Sequence, residues 1–170
     1  MKTFRYLYNA ENQRIEQDVD AFHGAGNSLP GSDGTYETQE AYVYDAGEVT
    51  LVLKRTDHTL VGRYLWGPGP HQVLAEDTPG GTPATHLFVA DAEGSVRQVV
   101  DAGTGSVIST VDYDAFGNAT ASGTVTTLPR FAYTGQQADP ATGLYYYGAR
   151  YYDPMAGRFI NQDPALEGSN

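Results

Sequence analysis

One short unit recurs along this chain: an alternating strand, then an aspartate or asparagine, then a glycine or asparagine a few residues on. It appears over Phe4–Ile15 with Tyr8-Asn9, over Ala41–Leu51 with Tyr44-Asp45 and Gly47, and over Thr110–Ala119 with Tyr113-Asp114, Gly117 and Asn118. A looser copy spans Leu87–Arg97, with Asp91 and Gly94 in the same places. Each copy reads as strand, turn, strand. Alternation at period two buries one face of a strand. The Asp or Asn side chain bonds to nearby backbone to open the turn, and the Gly or Asn beyond it supplies positive φ. The tyrosine buries its ring while its hydroxyl finds water or a carbonyl. A single hairpin of this kind is marginal, and stacked copies cover one another's edges.

Composition agrees with an all-β chain. Among 170 residues there are 20 Gly, 9 Pro and 13 Tyr, and charged residues make up only 18%. That mixture of turn formers and aromatics suits many short strands, while an aromatic content of 12% argues against disorder. With no cysteine, disulfides, thiolate zinc sites and thiol nucleophiles are excluded. A formal charge of −11 argues against nucleic acid or an anionic membrane surface as partner, since both select basic faces. No apolar run approaches the roughly 20 residues of a spanning helix, so no membrane insertion by this segment is expected. Met1-Lys2-Thr3-Phe4-Arg5 leads into a strand-like segment rather than a signal-peptide core. Export by the general secretory route is therefore not expected from these residues, and the localisation stays open.

Four breaks separate the strands: Gly24–Gly34, Gly67–Pro70 after a strand over Gly62–Trp66, Asp77–Pro83, and Ala119–Thr127. All are short enough for one continuous β structure, with room for about 12 to 15 strands.

The last 40 or so residues are the densest in aromatic and turn residues. They include Phe131, Thr134-Gly135-Gln136, Thr142-Gly143-Leu144-Tyr145-Tyr146, Ala149-Arg150-Tyr151-Tyr152-Asp153-Pro154, Gly157-Arg158-Phe159 and Asp163-Pro164. This run resembles the C-terminal core signature of the Rhs/YD-repeat family, which includes Tc-toxin shell subunits, polymorphic Rhs toxins and teneurins. Gly94-Ser95-Val96-Arg97, Tyr113–Asn118 and Arg63–Pro68 resemble the family's preceding strands. The resemblance implies a YD-repeat strip of stacked antiparallel hairpins over 1–127, curling toward a shell or small barrel. It implies further that 128–170 is an Rhs-associated core turned inward as a plug. Family habit implies secretion or delivery by a dedicated secretion system.

The resemblance also maps a pair of self-cleaving aspartates onto Asp153 and Asp163, with Arg150 and Arg158 as supports and the cut near Leu166 or Glu167. Such a pair must share one proton, so that one carboxylate activates water while the other polarises the carbonyl. Ala156-Gly157 offers the bend that would bring the two together. Each Asp-Pro equally well opens a turn, as at Asp139-Pro140. After Asp163-Pro164 this chain reads Ala165-Leu166-Glu167, where self-cutting members have isoleucine, glycine and leucine.

Other chemistry is weaker. His23, His58, His71 and His86 have no metal-ligand spacing, and no metal or other cofactor is expected. Tyr145-Tyr146-Tyr147 with Tyr151-Tyr152 suits either a packed core or a sugar-stacking platform. The leading expectation is a structural end of an Rhs-type shell enclosing a toxin or effector polypeptide. Its partners would be further YD repeats or a second copy through exposed sheet edges, together with the cargo. The alternatives are aspartyl self-cleavage in a single turnover, the most enzymatic reading available, and an adhesive or glycan-binding module. Tyr145, Tyr147, Tyr151, Phe159 and Trp66 are the expected interior residues.

Overall fold

A computed structural model describes residues 2–21, 38–80 and 84–162. Among these every regular element is a strand, apart from one 3-10 turn at Tyr133–Gly135. The chain divides into two compact units, Met1–Arg63 and Tyr64–Asn170.

In the first unit, β1 (Lys2–Tyr8), β2 (Arg14–Ala21), β3 (Thr38–Asp45), β4 (Glu48–Lys54) and the start of β5 (Leu60–Trp66) pair antiparallel in chain order. Val19, Tyr42, Val49 and Val52 are buried here. So is Asp18, at 1% exposure, because Arg5 and Arg55 both bind its carboxylate, Arg55 Nε at 3.1 Å from Oδ1. Arg14 is equally buried, its guanidinium 5.2 Å from the ring centres of both Tyr6 and Tyr42.

The second unit continues with β6 (Val73–Thr78), β7 (Ala84–Ala90), β8 (Val96–Asp101), β9 (Val107–Tyr113) and β10 (Ala119–Gly123), again in chain order. A separate four-stranded sheet follows: β11 (Gln137–Asp139), β12 (Leu144–Tyr146), β13 (Tyr151–Asp153) and β14 (Arg158–Phe159). The all-β class and the stacked antiparallel hairpins are as the sequence implies. β10 ends its sheet without pairing onward, so the strands do not close into a barrel.

Three of the recurring turns share one construction, while the Asp45 turn is a tighter two-residue hairpin, with Asp45 paired to Glu48 and both Ala46 and Gly47 at positive φ. At Asp91 the carboxylate Oδ1 accepts the N–H groups of Glu93 and Ser95, both at 3.0 Å, and at Asp114 it accepts those of Phe116 and Asn118. Asn9 does the same for the Gln13 N–H. The fourth residue of each turn, Asn12, Gly94 or Gly117, has positive φ, as the left-handed step requires. A register shift precedes the Asn9, Asp45 and Asp91 turns, at Leu7/Tyr8, Val43/Tyr44 and Val89/Ala90. Such bulges bend a strand and increase its twist.

Two sequence expectations need correction. Ala119–Gly123 is a strand rather than a loop, because the Asp114 turn brings these residues into register with Tyr113 to Ser109. Asp77 and Thr78 continue β6 opposite Thr85 and Ala84. The break over Gly24–Gly34 lies outside the described residues, and so do residues 81–83.

Candidate functional site

The segment from Arg130 to Phe159 docks against the end of β5, the start of β8, the end of β9 and the turn after it. Phe131 meets Tyr64 and Trp66 edge-on, with ring centres 4.8 and 4.7 Å apart. Tyr133 packs against Tyr113 at 5.5 Å and Tyr145 at 5.8 Å. Ala132 O accepts the Val96 N–H at 3.0 Å, and the Thr134 N–H donates to Ser95 Oγ at 2.9 Å. Thr134 itself sits at φ 49°, ψ 29°. Its hydroxyl shares a 2.7 Å hydrogen bond with Tyr147.

Further along, tyrosine hydroxyls end on turn carbonyls. Tyr145 donates to Gly117 O at 2.9 Å and Tyr152 to Phe116 O at 3.0 Å, while Asn118 Nδ2 donates to Pro154 O at 3.0 Å. The segment therefore binds beside the Asp91 turn through the Val96 N–H and the Ser95 hydroxyl, and at the Asp114 turn through two backbone carbonyls and the Asn118 side chain. Burial pushes the hydroxyls of Tyr64, Tyr113 and Tyr145 well above the usual phenol value and raises that of Tyr147, so all remain neutral at ordinary pH. Beyond burial, the negative charge of Glu76 raises Tyr64 further, although Arg130 opposes it.

Of the five expected interior residues, Tyr145 is fully buried and Trp66, Tyr147, Tyr151 and Phe159 are half-buried. Tyr146, at 5% exposure, takes the place expected of Tyr147, because the Gln137–Tyr146 pairing turns it into the core. Alternation does not assign a face when three tyrosines are adjacent. The rings pack on one another, Tyr146 with Tyr151 at 5.1 Å and Tyr147 with Tyr152 at 5.9 Å.

The aspartate pair is placed in part. Asp153 ends β13 and is half-buried, and its Oδ1 accepts the N–H groups of Met155 at 2.8 Å and Ala156 at 3.2 Å. It is a turn former as Asp91 and Asp114 are, although its second N–H comes from the third residue on rather than the fourth, and its other oxygen differs too. Asp91 Oδ2 holds Arg97 Nε and Asp114 Oδ2 holds Asn118 Nδ2, whereas Oδ2 of Asp153 has no partner among the described residues. Arg150 lays its guanidinium 3.7 Å from the Phe159 ring centre. Arg158 is exposed and sits directly opposite Asp153 in the β13–β14 register. Asp163, Leu166 and Glu167 lie outside the described residues, as does His23.

The other histidines are spread over the β4–β5 turn (His58), the β5–β6 turn (His71) and β7 (His86). Among the described residues no group of three or more His, Cys, Asp or Glu is placed to hold a metal ion. No helix there is long and apolar enough to cross a membrane. Sequence reasoning missed Ser95 and Gly117 as docking points, and also His71, whose carbonyl oxygen lies against Gly135 where a Cβ would clash with it. The signal available was the glycine at the fourth turn position, where the turn backbone lies open to a neighbour.

The teneurin YD-shell family pattern matches residues 72–168, more than half of the chain and the whole of the docked segment. This chain belongs to the Rhs/YD-shell family. Among curated relatives, YD-shell similarity extends to the double-stranded DNA deaminase toxin A of Burkholderia cenocepacia, 41% identical over 94% of this chain and 12% of that protein. The tRNA3(Ser)-specific nuclease WapA of Bacillus spizizenii is 31% identical over 94% of this chain and 6% of its own length. Toxin subunit YenC1 of Yersinia entomophaga is 42% identical over 40% of this chain and 8% of its length. The chain thus spans 12% or less of each of these three relatives. The crystal structure of TcdB2-TccC3 has the same fold, with a TM-score of 0.59 at 19% identity over 95% of this chain and 9% of that one. A YD-shell chain of this kind has a shell-type structural role.

Proposed function

We propose that this YD-shell chain forms the closing end of a β shell that, with further repeats, encloses a toxin or effector polypeptide. The observation that carries this reading is the docking of the core segment on successive turns of the strip, through Val96, Ser95, Phe116 and Gly117. A segment that closes a repeating strip must hold to what repeats, and the turn backbone is what repeats. The toxin names of the relatives support a polypeptide cargo. On this reading residues 1–127 belong to the strip and 128–170 to the plug. A chimera tests it: this chain replaces the matching segment of the Burkholderia relative, and the purified protein is treated with protease. The region downstream of the shell should survive as long as it does in the parent. Digestion at the rate of the isolated downstream region would remove enclosure by this chain.

A second reading is favoured by the unengaged Oδ2 of Asp153. One oxygen is fixed by the turn and the other is left for a second task, as an aspartyl self-cleavage dyad with Asp163 would need. Water would add to the carbonyl carbon with its proton passing to the dyad, the C–N bond would break, and the amine would leave with a proton. A reporter domain fused after Asn170 and weighed intact by mass spectrometry tests it. Release near Leu166 or Glu167 from the wild type, and from neither Asp153→Asn nor Asp163→Asn, supports the dyad. Identical masses in all three remove it.

A further inference from the structure

β10 is one edge of the ten-stranded sheet; β1, the other edge, carries Arg5 and a register shift at Leu7/Tyr8, and β10 has neither. It pairs with β9 alone, in the register Thr120↔Asp112 and Ser122↔Thr110. The hairpin closes with the Asp114 N–H on Asn118 O at 3.1 Å. Antiparallel pairs alternate outward from that closing pair, so Thr120 and Ser122 turn their backbone groups toward β9 while Ala119 and Ala121 turn theirs away. Those outward N–H and C=O groups have no partner among the described residues. Proteins ordinarily blunt such an edge with a charged residue, a proline or a bulge. Ala119-Thr120-Ala121-Ser122-Gly123 has no charge and no proline, and its register with β9 is unbroken.

The last described strands end beside this edge. β13 and β14 are fastened to the β9–β10 turn by Tyr152 to Phe116 O and by Asn118 to Pro154 O, each at 3.0 Å. Gly157 also lies against the Phe116 ring, where a Cβ would come within 2.9 Å of Cδ1. The chain is thus held at the turn of the hairpin whose outer edge is open within a few residues of Gln162, the last described residue. We infer that β10 is a strand-addition site for a polypeptide joined to the C-terminus of this chain, which pairs in extended form with Ala119 and Ala121. Main-chain hydrogen bonds give such pairing without demanding a sequence, which suits variable cargo. The inference rests on the cargo reading above and names the first place where cargo is held.

Amide exchange measured by NMR tests it, on the full chain alone and on the full chain carrying an unstructured polypeptide after Asn170. The Ala119 and Ala121 amides should exchange about tenfold slower in the fusion. Ala121→Pro removes one outward donor and leaves the β9 ladder intact, so Ala119 should return to its unfused rate while Thr120 and Ser122 stay protected. NOEs from the Ala121 amide to the fused segment read the same pairing without a substitution. Equal exchange with and without the fusion overturns the proposal, and protease resistance in the chimera would then still support enclosure. Protection that appears in the unfused chain and rises with protein concentration would assign the edge to a second copy and overturn it too.

Discussion

The ring of Tyr133 rests against the α-carbon of Gly117, so closely that a Cβ there would come within 2.6 Å of Tyr133 Cδ1. Gly117 also has φ +90°. One residue thus closes the Asp114 turn and makes room for the core segment to dock on it. Gly117→Ala adds left-handed strain to an overpacked contact and should cost about 3 kcal/mol. Urea denaturation checks this, and a loss below about 0.5 kcal/mol would mean that the ring moves aside freely.

Asp18 is buried between Arg5 and Arg55. Asp18→Ala leaves two guanidinium groups without the carboxylate that both bind, and should destabilise the first unit by about 3 kcal/mol. The same urea titration, followed by a probe in β1–β4, checks it. A neutral result would show that both arginines reach solvent at no cost.

Ser109 is 1% exposed, and its hydroxyl has no hydrogen-bond partner among the described residues. Removing an unsatisfied buried hydroxyl relieves a desolvation cost, so Ser109→Ala should be neutral or stabilising by up to about 1 kcal/mol. Differential scanning calorimetry reads the shift in Tm. A clear loss would show that the hydroxyl is bonded in solution.

Acid should weaken the turns. At Asp114 the Asn118 amide and then the Phe116 N–H hold the carboxyl below the usual aspartate value. The Thr104 N–H and hydroxyl do the same at Asp101. Burial alone would raise Asp91, but Arg97 and the Ser95 and Glu93 N–H groups outweigh it. A carboxyl with a depressed folded-state pKa stabilises above its unfolded pKa, and that stability is lost as pH falls through the folded value. The urea midpoint should therefore be flat at neutral pH and drop below about pH 4. Asp114→Asn, which keeps the turn geometry, should drop less steeply, and an unchanged slope would remove Asp114 from the set.

Much of this architecture was legible in the amino-acid order. The Asp91 and Asp114 turns, their glycines and the alternation before them are local, because an Asx turn is made by one side chain and the backbone within four residues of it. The dense core run was equally plain, and family membership followed from it. Local pattern did not reach the faces of Tyr145-Tyr146-Tyr147, where adjacent tyrosines satisfy either assignment and only pairing with Gln137–Asp139 chooses. Nor did it show Ala119–Gly123 as a strand, since weak strand formers pair when a preceding turn sets their register. The sequence alone determined the Asp91 and Asp114 turns and the all-β class. Only the tertiary structure decided what the turns are for, because the contacts of Tyr133, Tyr145 and Tyr152 with Gly117 and Phe116 join residues far apart in the chain through backbone atoms that every sequence carries.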